Sequence, residues 1–141
     1  MKFEFAEDIK ERISNIIEKL DMKYIDKNRI FCIRSFNSKS NAYARIWALS
    51  KVWQKCLNIR PHYIIEILSQ HFDKLSEEEK DKILIHELMH IPKNFSGAIL
   101  SHNSSHFDGR GGRKIRKINK KEVENLYKKY ISEKNAKDWN Y

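Results

Sequence analysis

Residues 83–92 read I-L-I-H-E-L-M-H-I-P, an apolar run interrupted by two histidines and a glutamate and stopped by a proline. On a helix, residues four apart stand one turn above the other, so His86 and His90 can approach one ion from the same side. Glu87 is rotated from His86 by roughly 100° and can reach a water on that ion. This spacing predicts metal-assisted hydrolysis. Two imidazoles and a third protein ligand hold zinc, the fourth position stays open to water, and the glutamate accepts the water's proton as it attacks a carbonyl. The flanking Ile83, Leu84, Ile85, Leu88, Met89 and Ile91 make the helix apolar on nearly every side, hence buried. Polar groups in such a place need partners, because an unpaired buried charge costs several kcal/mol. An ion would partner all three, whereas pairing with carboxylates is the metal-free alternative.

The third ligand lies downstream. The spacing H-E-x-x-H-x-x-G-x-x-H is absent: no histidine sits at position 96, which is a serine. His102 and His106, twelve and sixteen residues past His90, are the candidates, with Asp108 a weaker oxygen donor. A loop of this length with Gly97 at its bend can return a side chain to the helix. Three imidazoles favour zinc among the divalent ions. Binding by both His102 and His106 would instead close the site and make it structural. Arg110, Arg113 and His106 are further candidates to stabilise an oxyanion.

The stretch LSEEEKDKILIHELMHIPKNFSGAILSH resembles the core of a family of small metallopeptidases found in phage and archaeal genomes. Its pattern is a helix ending H-E-L-x-H-I-P, a short F-S-G segment and then a histidine. The resemblance extends upstream through ARIWALSKVWQKCLNIRPHYIIEI and FDKLS, and covers roughly residues 43–117. It implies a minimal zincin fold with His86, His90 and His102 as zinc ligands and Glu87 as base. Family members often place glycine after the third histidine, where this chain has Asn103. A more distant similarity is to SprT-like metalloproteases, although HNSSHF differs from their pattern in spacing.

Several elements must position these residues. AEDIKERISNIIEKL (6–20) spaces Ile9, Ile13, Ile16, Ile17 and Leu20 as an amphipathic helix, acidic early and basic late. RIFCIRSF (29–36), YARIWAL (43–49) and HYIIEILS (62–69) read as strands. Between the last two, SKVWQKCLN (50–58) reads as a short helix capped by Ser50. Ser76 with Glu79 forms a capping box for the central helix, which should run to Ile91 before Pro92. A long loop holding all four glycines follows, then a last helix with Val123, Leu126, Tyr127 and Tyr130 on one face. This order predicts one α+β domain over 1–141: a small, mostly antiparallel three-stranded sheet packed on the histidine-bearing helix, with helices at both ends. His62 and His71, flanking the third strand, read as surface or turn residues. A strand at the sheet edge could pair with an extended peptide substrate.

Composition sets the remaining bounds. At 141 residues, 40% hydrophobic and 11% aromatic, the chain can bury a real core. No apolar run approaches the ~20 residues that span a bilayer. The charged amino terminus is unlike a signal peptide, so the expected setting is cytoplasmic. Cys32 and Cys56 form no C-x-x-C pair and read most simply as buried free thiols. Of the net charge of +9, residues 93–141 contribute +7, from 12 Lys+Arg against 5 Asp+Glu. The basic segment DGRGGRKIRK (108–117) is therefore either a solvated loop or a contact for nucleic-acid phosphate. Three functions follow in order. The first is a zinc metallopeptidase acting on a peptide or protein. The second is a nucleic-acid-associated protein with a structural zinc, or a protease directed at DNA-bound proteins. The last is a metal-free domain.

Overall fold

The computed structural model describes residues 2–107 and 113–138, and their side chains except those of 103–117 and 137–138. In chain order the elements are β1 (Lys2–Phe5), α1 (Glu7–Lys19), β2 (Ile30–Phe36), β3 (Ala44–Ala48), α2 (Lys51–Leu57) and β4 (Tyr63–Leu68). They continue with α3 (Ser69–Phe72), α4 (Glu77–Met89), β5 (Asn103–Phe107), β6 (Arg113–Lys117) and α5 (Lys120–Asp138). The α+β class matches expectation.

The main sheet does not match the three-stranded, mostly antiparallel expectation. It has four strands in the order β1-β2-β4-β3 and is mixed. β1 pairs antiparallel with β2, β2 runs parallel to β4, and β4 is antiparallel to β3. The strands β2 and β3 run in opposite directions, as a hairpin would, but β4 inserts between them. The near-continuous apolar run of β4 suits this central place, where strands flank it on both sides. β1 was not expected because its four residues are all exposed and pair at the sheet edge through the backbone. A second pair, β5 with β6, occupies part of the stretch expected to be loop.

One face of the sheet carries the core. Ile30 and Cys32 of β2 and Tyr63, Ile65 and Ile67 of β4 pack with Ile9, Ile13 and Ile16 of α1 and with Leu84, Ile85 and Leu88 of α4. On α1 the isoleucines recur every three or four residues, with Glu7 and Asp8 in the first turn and Lys19 in the last. α5 adds Val123 and Tyr130, the latter accepting a 2.9 Å hydrogen bond from Asn15. Ser50 caps α2 as expected, and that helix ends on Asn58 in the left-handed region, φ 53°, a conformation asparagine tolerates. Cys32 is buried, but Cys56 is exposed on α2, against the expectation for that thiol; both are free. Among the described residues, no helix is long and apolar enough to cross a membrane.

Candidate metal centre and active-site cleft

The helix that carries the histidines is anchored at its start. The Ser76 hydroxyl accepts from the Glu79 N–H at 3.2 Å, and Glu77, Glu78 and Glu79 occupy the first turn, where the helix dipole favours negative charge. Buried Asp81 takes a 2.9 Å hydrogen bond from Arg12 of α1, and Lys82 bridges to Glu124 of α5 at 2.6 Å. These contacts set the helix's rotation, so the faces bearing His86 and His90 are not free to turn. The helix stops at Met89, two residues short of the expected Ile91, and His90 is its C-cap. The His90 N–H bonds Glu87 O and the Ile91 N–H bonds Leu88 O, each three residues back. The last turn thus tightens as the chain approaches Pro92.

Three imidazoles converge beyond that turn. His86 Nε2 lies 3.2 Å from His90 Nε2 and 3.3 Å from His102 Nε2. An ion ~2.0 Å from two nitrogens in a tetrahedral shell holds them about 3.3 Å apart, so the spacing fits zinc. The chemistry of the donors points the same way. His90 Nδ1 faces the carbonyl oxygen of Leu100, which can only accept, so Nδ1 carries the proton and Nε2 presents a lone pair. Burial, with the neighbouring His90 and His102 adding to it, pushes the His86 imidazole down to about 4, which keeps it neutral at pH 7. A single proton on His86 Nε2 would have to be shared between two acceptors. One cation satisfies all three nitrogens.

His102 reaches the cluster because the loop is stapled. The Tyr63 hydroxyl, from β4, donates to Ala98 O at 2.8 Å and accepts from the Gly97 N–H at 2.9 Å. Gly97 sits at φ +92°, and a Cβ there would come within 2.4 Å of Gln54 Nε2. The positive φ favours glycine, and a side chain there would also displace the end of Gln54 and crowd Leu49 O at 3.3 Å. The chain then doubles back along the helix end, with the Leu100 N–H bonding His90 O at 2.8 Å. His102 follows two residues later, its carbonyl held by the Ile118 N–H at 3.0 Å.

Glu87 is 8% exposed, and burial pushes its carboxyl up to about 7. With His86 it lines an open cleft of about 680 Å³ whose walls include Tyr43 and Ala44 on one side and Lys120, Val123 and Glu124 on the other. Ala44 begins β3, which pairs with β4 alone among the described strands. Ala44 thus brings an edge strand to the border of the cleft.

Of the residues singled out in the sequence, His86, His90 and His102 come together, and Glu87 stands beside them at the cleft. The side chains of His106 and Arg113, and all of Asp108 and Arg110, lie outside the described residues, as does most of the basic segment's chemistry. His62 and His71 stay away from the cluster, as expected: His62 stacks on Phe31 and His71 bonds Ser40 O. Tyr63 is the residue that sequence reasoning missed. Its only signal was a phenol inside an apolar strand, whose polar tip would need a partner when buried.

A family model described as "Putative phage metallopeptidase" matches residues 1–138. The chain belongs to that family, and the match spans nearly its whole length. Neither a curated protein nor a solved structure matches it.

Proposed function

We propose that this protein is a zincin-like, zinc-dependent peptidase that hydrolyses peptide bonds of extended protein or peptide segments. The observation that carries the reading is the convergence of three imidazole ligand atoms within 4.8 Å of one another, His86 Nε2 lying 3.2–3.3 Å from the other two, beside a carboxylate that opens onto a cleft. His86, His90 and His102 would hold the ion, and bound zinc supplies the Lewis acidity that polarises a carbonyl and acidifies water. Glu87 takes the proton from the water as its oxygen bonds to the carbonyl carbon. The same carboxyl then returns that proton to the departing amide nitrogen as the C–N bond breaks. The free edge of β3 can hydrogen-bond an extended backbone, which aligns the scissile bond along the cleft. Membership of a metallopeptidase family supports the same class of reaction.

The test is Glu87→Gln assayed on an unstructured protein such as casein, with zinc measured on the same sample. The expected result is a loss of hydrolysis of at least about a hundredfold, as for removal of a general base, with bound zinc nearly unchanged. Loss of zinc together with activity would make Glu87 a structural residue and sink the assigned role.

A further inference from the structure

The sheet has two faces, and the helices cover one. Most buried sheet residues (Ile30, Cys32, Tyr63, Ile65, Ile67) lie on the face towards α1 and α4, while Ser35, Glu66 and Leu68 are buried on the other. Strand register places Phe3 and Phe5 of β1, Phe31 of β2 and Trp47 of β3 on that outer face. Their exposures are 53%, 72%, 45% and 50%. A sheet face turned to water ordinarily alternates to polar residues. Here it shows four large aromatic rings with Ile33 and Ile64 between them, the kind of contiguous patch that a partner covers.

Charge identifies the partner. Of the eight Lys+Arg in residues 27–72 (Lys27, Arg29, Arg34, Lys39, Arg45, Lys51, Lys55, Arg60), Arg29 pairs with Asp26, Arg34 on the inner face with Asp8 and Asp73, and Arg45 with Glu66, the one acid in that stretch. Glu66 lies on this outer face but is sealed, at 0% exposure, by Arg45 at 2.9 Å and by the Trp47 indole N–H at 2.8 Å. At the end of the sheet bearing Phe31 and Trp47, the His62 ring stacks on Phe31 with centroids 6.1 Å apart. Lys51, Lys55 and Arg60 sit on the connection that leads there from β3 and are exposed; among the described residues Lys51 and Lys55 make no ion pair, and Arg60 lies within electrostatic reach of Asp26. A second copy of a chain of net charge +9 would bring like charges together. A polyanion with flat π faces matches both features.

We propose that the outer face of the sheet binds single-stranded nucleic acid. Bases stack on Phe3, Phe5, Phe31 and Trp47, and Lys51, Lys55 and Arg60 meet the phosphates. Stacking needs bases free of a partner strand, so a duplex is a poor ligand for this face. Every base has a π face, so binding tolerates sequence. The surface faces away from α4 and works with or without hydrolysis at the histidine cluster.

The experiment is fluorescence anisotropy of the full chain with a labelled oligothymidylate on the order of 20 nucleotides, longer than typical sites of this kind. A duplex of the same length and a salt series are run beside it. The single strand should bind more tightly than the duplex and weaken as salt rises. The triple variant Phe3→Ala/Phe5→Ala/Phe31→Ala should lose about tenfold or more in affinity. Lys51→Glu/Lys55→Glu, which leaves the rings in place, should weaken binding and flatten its salt dependence. Circular dichroism confirms that each variant is folded, and if the triple variant is not, the lysine pair decides alone. No binding by the native chain, equal binding of the duplex, or unchanged affinity in the folded variants would overturn the proposal. So would sedimentation showing a native dimer that the triple variant dissolves, because a second copy would then cover the face.

Discussion

His90 uses both of its ring nitrogens. Nδ1 donates to Leu100 O, which fixes the tautomer, and Nε2 is thereby left as a lone pair aimed at the other two imidazoles. Glu66 shows the same dependence on neighbours with opposite chemistry. Its burial alone would raise the carboxyl's pKa, but hydrogen bonds from Arg45, Ser35 and Trp47 outweigh that and hold it below its usual value. Arg45→Met should therefore strand a buried carboxylate and destabilise the protein by about 2–4 kcal/mol. Urea unfolding at pH 7 checks it, and a change below about 0.5 kcal/mol would mean that water reaches Glu66 as soon as the guanidinium leaves. At this scale the sequence was legible where partners are close along the chain. His86, Glu87 and His90 were visible from helix geometry alone. Glu66 was hidden because its partners, Arg45 and Trp47, come from a neighbouring strand whose pairing no local pattern specifies.

At the level of elements, the site depends on how the segment after α4 is held. Tyr63 and Gly97 are 34 residues apart, and their contact brings His102 within reach of His86. Tyr63→Phe removes both hydrogen bonds of the staple while keeping the ring, and should weaken zinc binding by roughly 10–100-fold, as loss of an outer-shell contact does. Competition with a chromophoric chelator measures this, and an unchanged affinity would show that the loop holds its shape without the phenol. A second junction joins α1, β2 and α3: Arg34 binds Asp8 at 2.9 Å and Asp73 at 2.9 Å. Hydrogen bonding to Arg34 holds Asp8 low, and for Asp73 the bonds from Arg34 and Ser69 overcome the upward pull of burial. Carboxyls lowered on folding stabilise the protein above their unfolded value of 3.8 and lose that contribution as pH falls through the folded value. Asp8→Asn/Asp73→Asn should thus cost up to ~1 kcal/mol at pH 7, discounted for exposure, and nearly nothing at low pH. Denaturant melts at both pH values test the sign. Apart from α3, which was not expected, the helices and the three expected strands were readable from periodicity and capping residues. The insertion of β4 between β2 and β3 was not, since register and neighbour choice depend on contacts distant in sequence.

For the molecule as a whole, the metal is expected to act as part of the fold. The three candidate ligands come from the end of α4 and from the loop beyond it, so an ion held there would tie the loop to the helix. Anything that binds only the folded chain stabilises it by mass action, about 2.7 kcal/mol at a hundredfold excess over Kd. Zinc should raise the melting temperature and a chelator should lower it by several degrees, which calorimetry reads directly. No shift with either would favour histidines satisfied by one another. The α+β class and a histidine cluster that includes residue 102 could be foreseen because they depend on local spacing and on a family pattern. The aromatic outer face could not, because in sequence Phe3, Phe5, Phe31 and Trp47 look like ordinary strand residues. Only the register shows that they share a side.

The most direct test of the central claim is zinc content per chain, measured by mass spectrometry on the native protein and on His102→Ala after reconstitution and dialysis. About one zinc per native chain is expected, the number one site of three imidazoles can hold, with most of it lost in the variant. No zinc on the native protein, or zinc retained unchanged by His102→Ala, would contradict the three-histidine centre and the peptidase built on it.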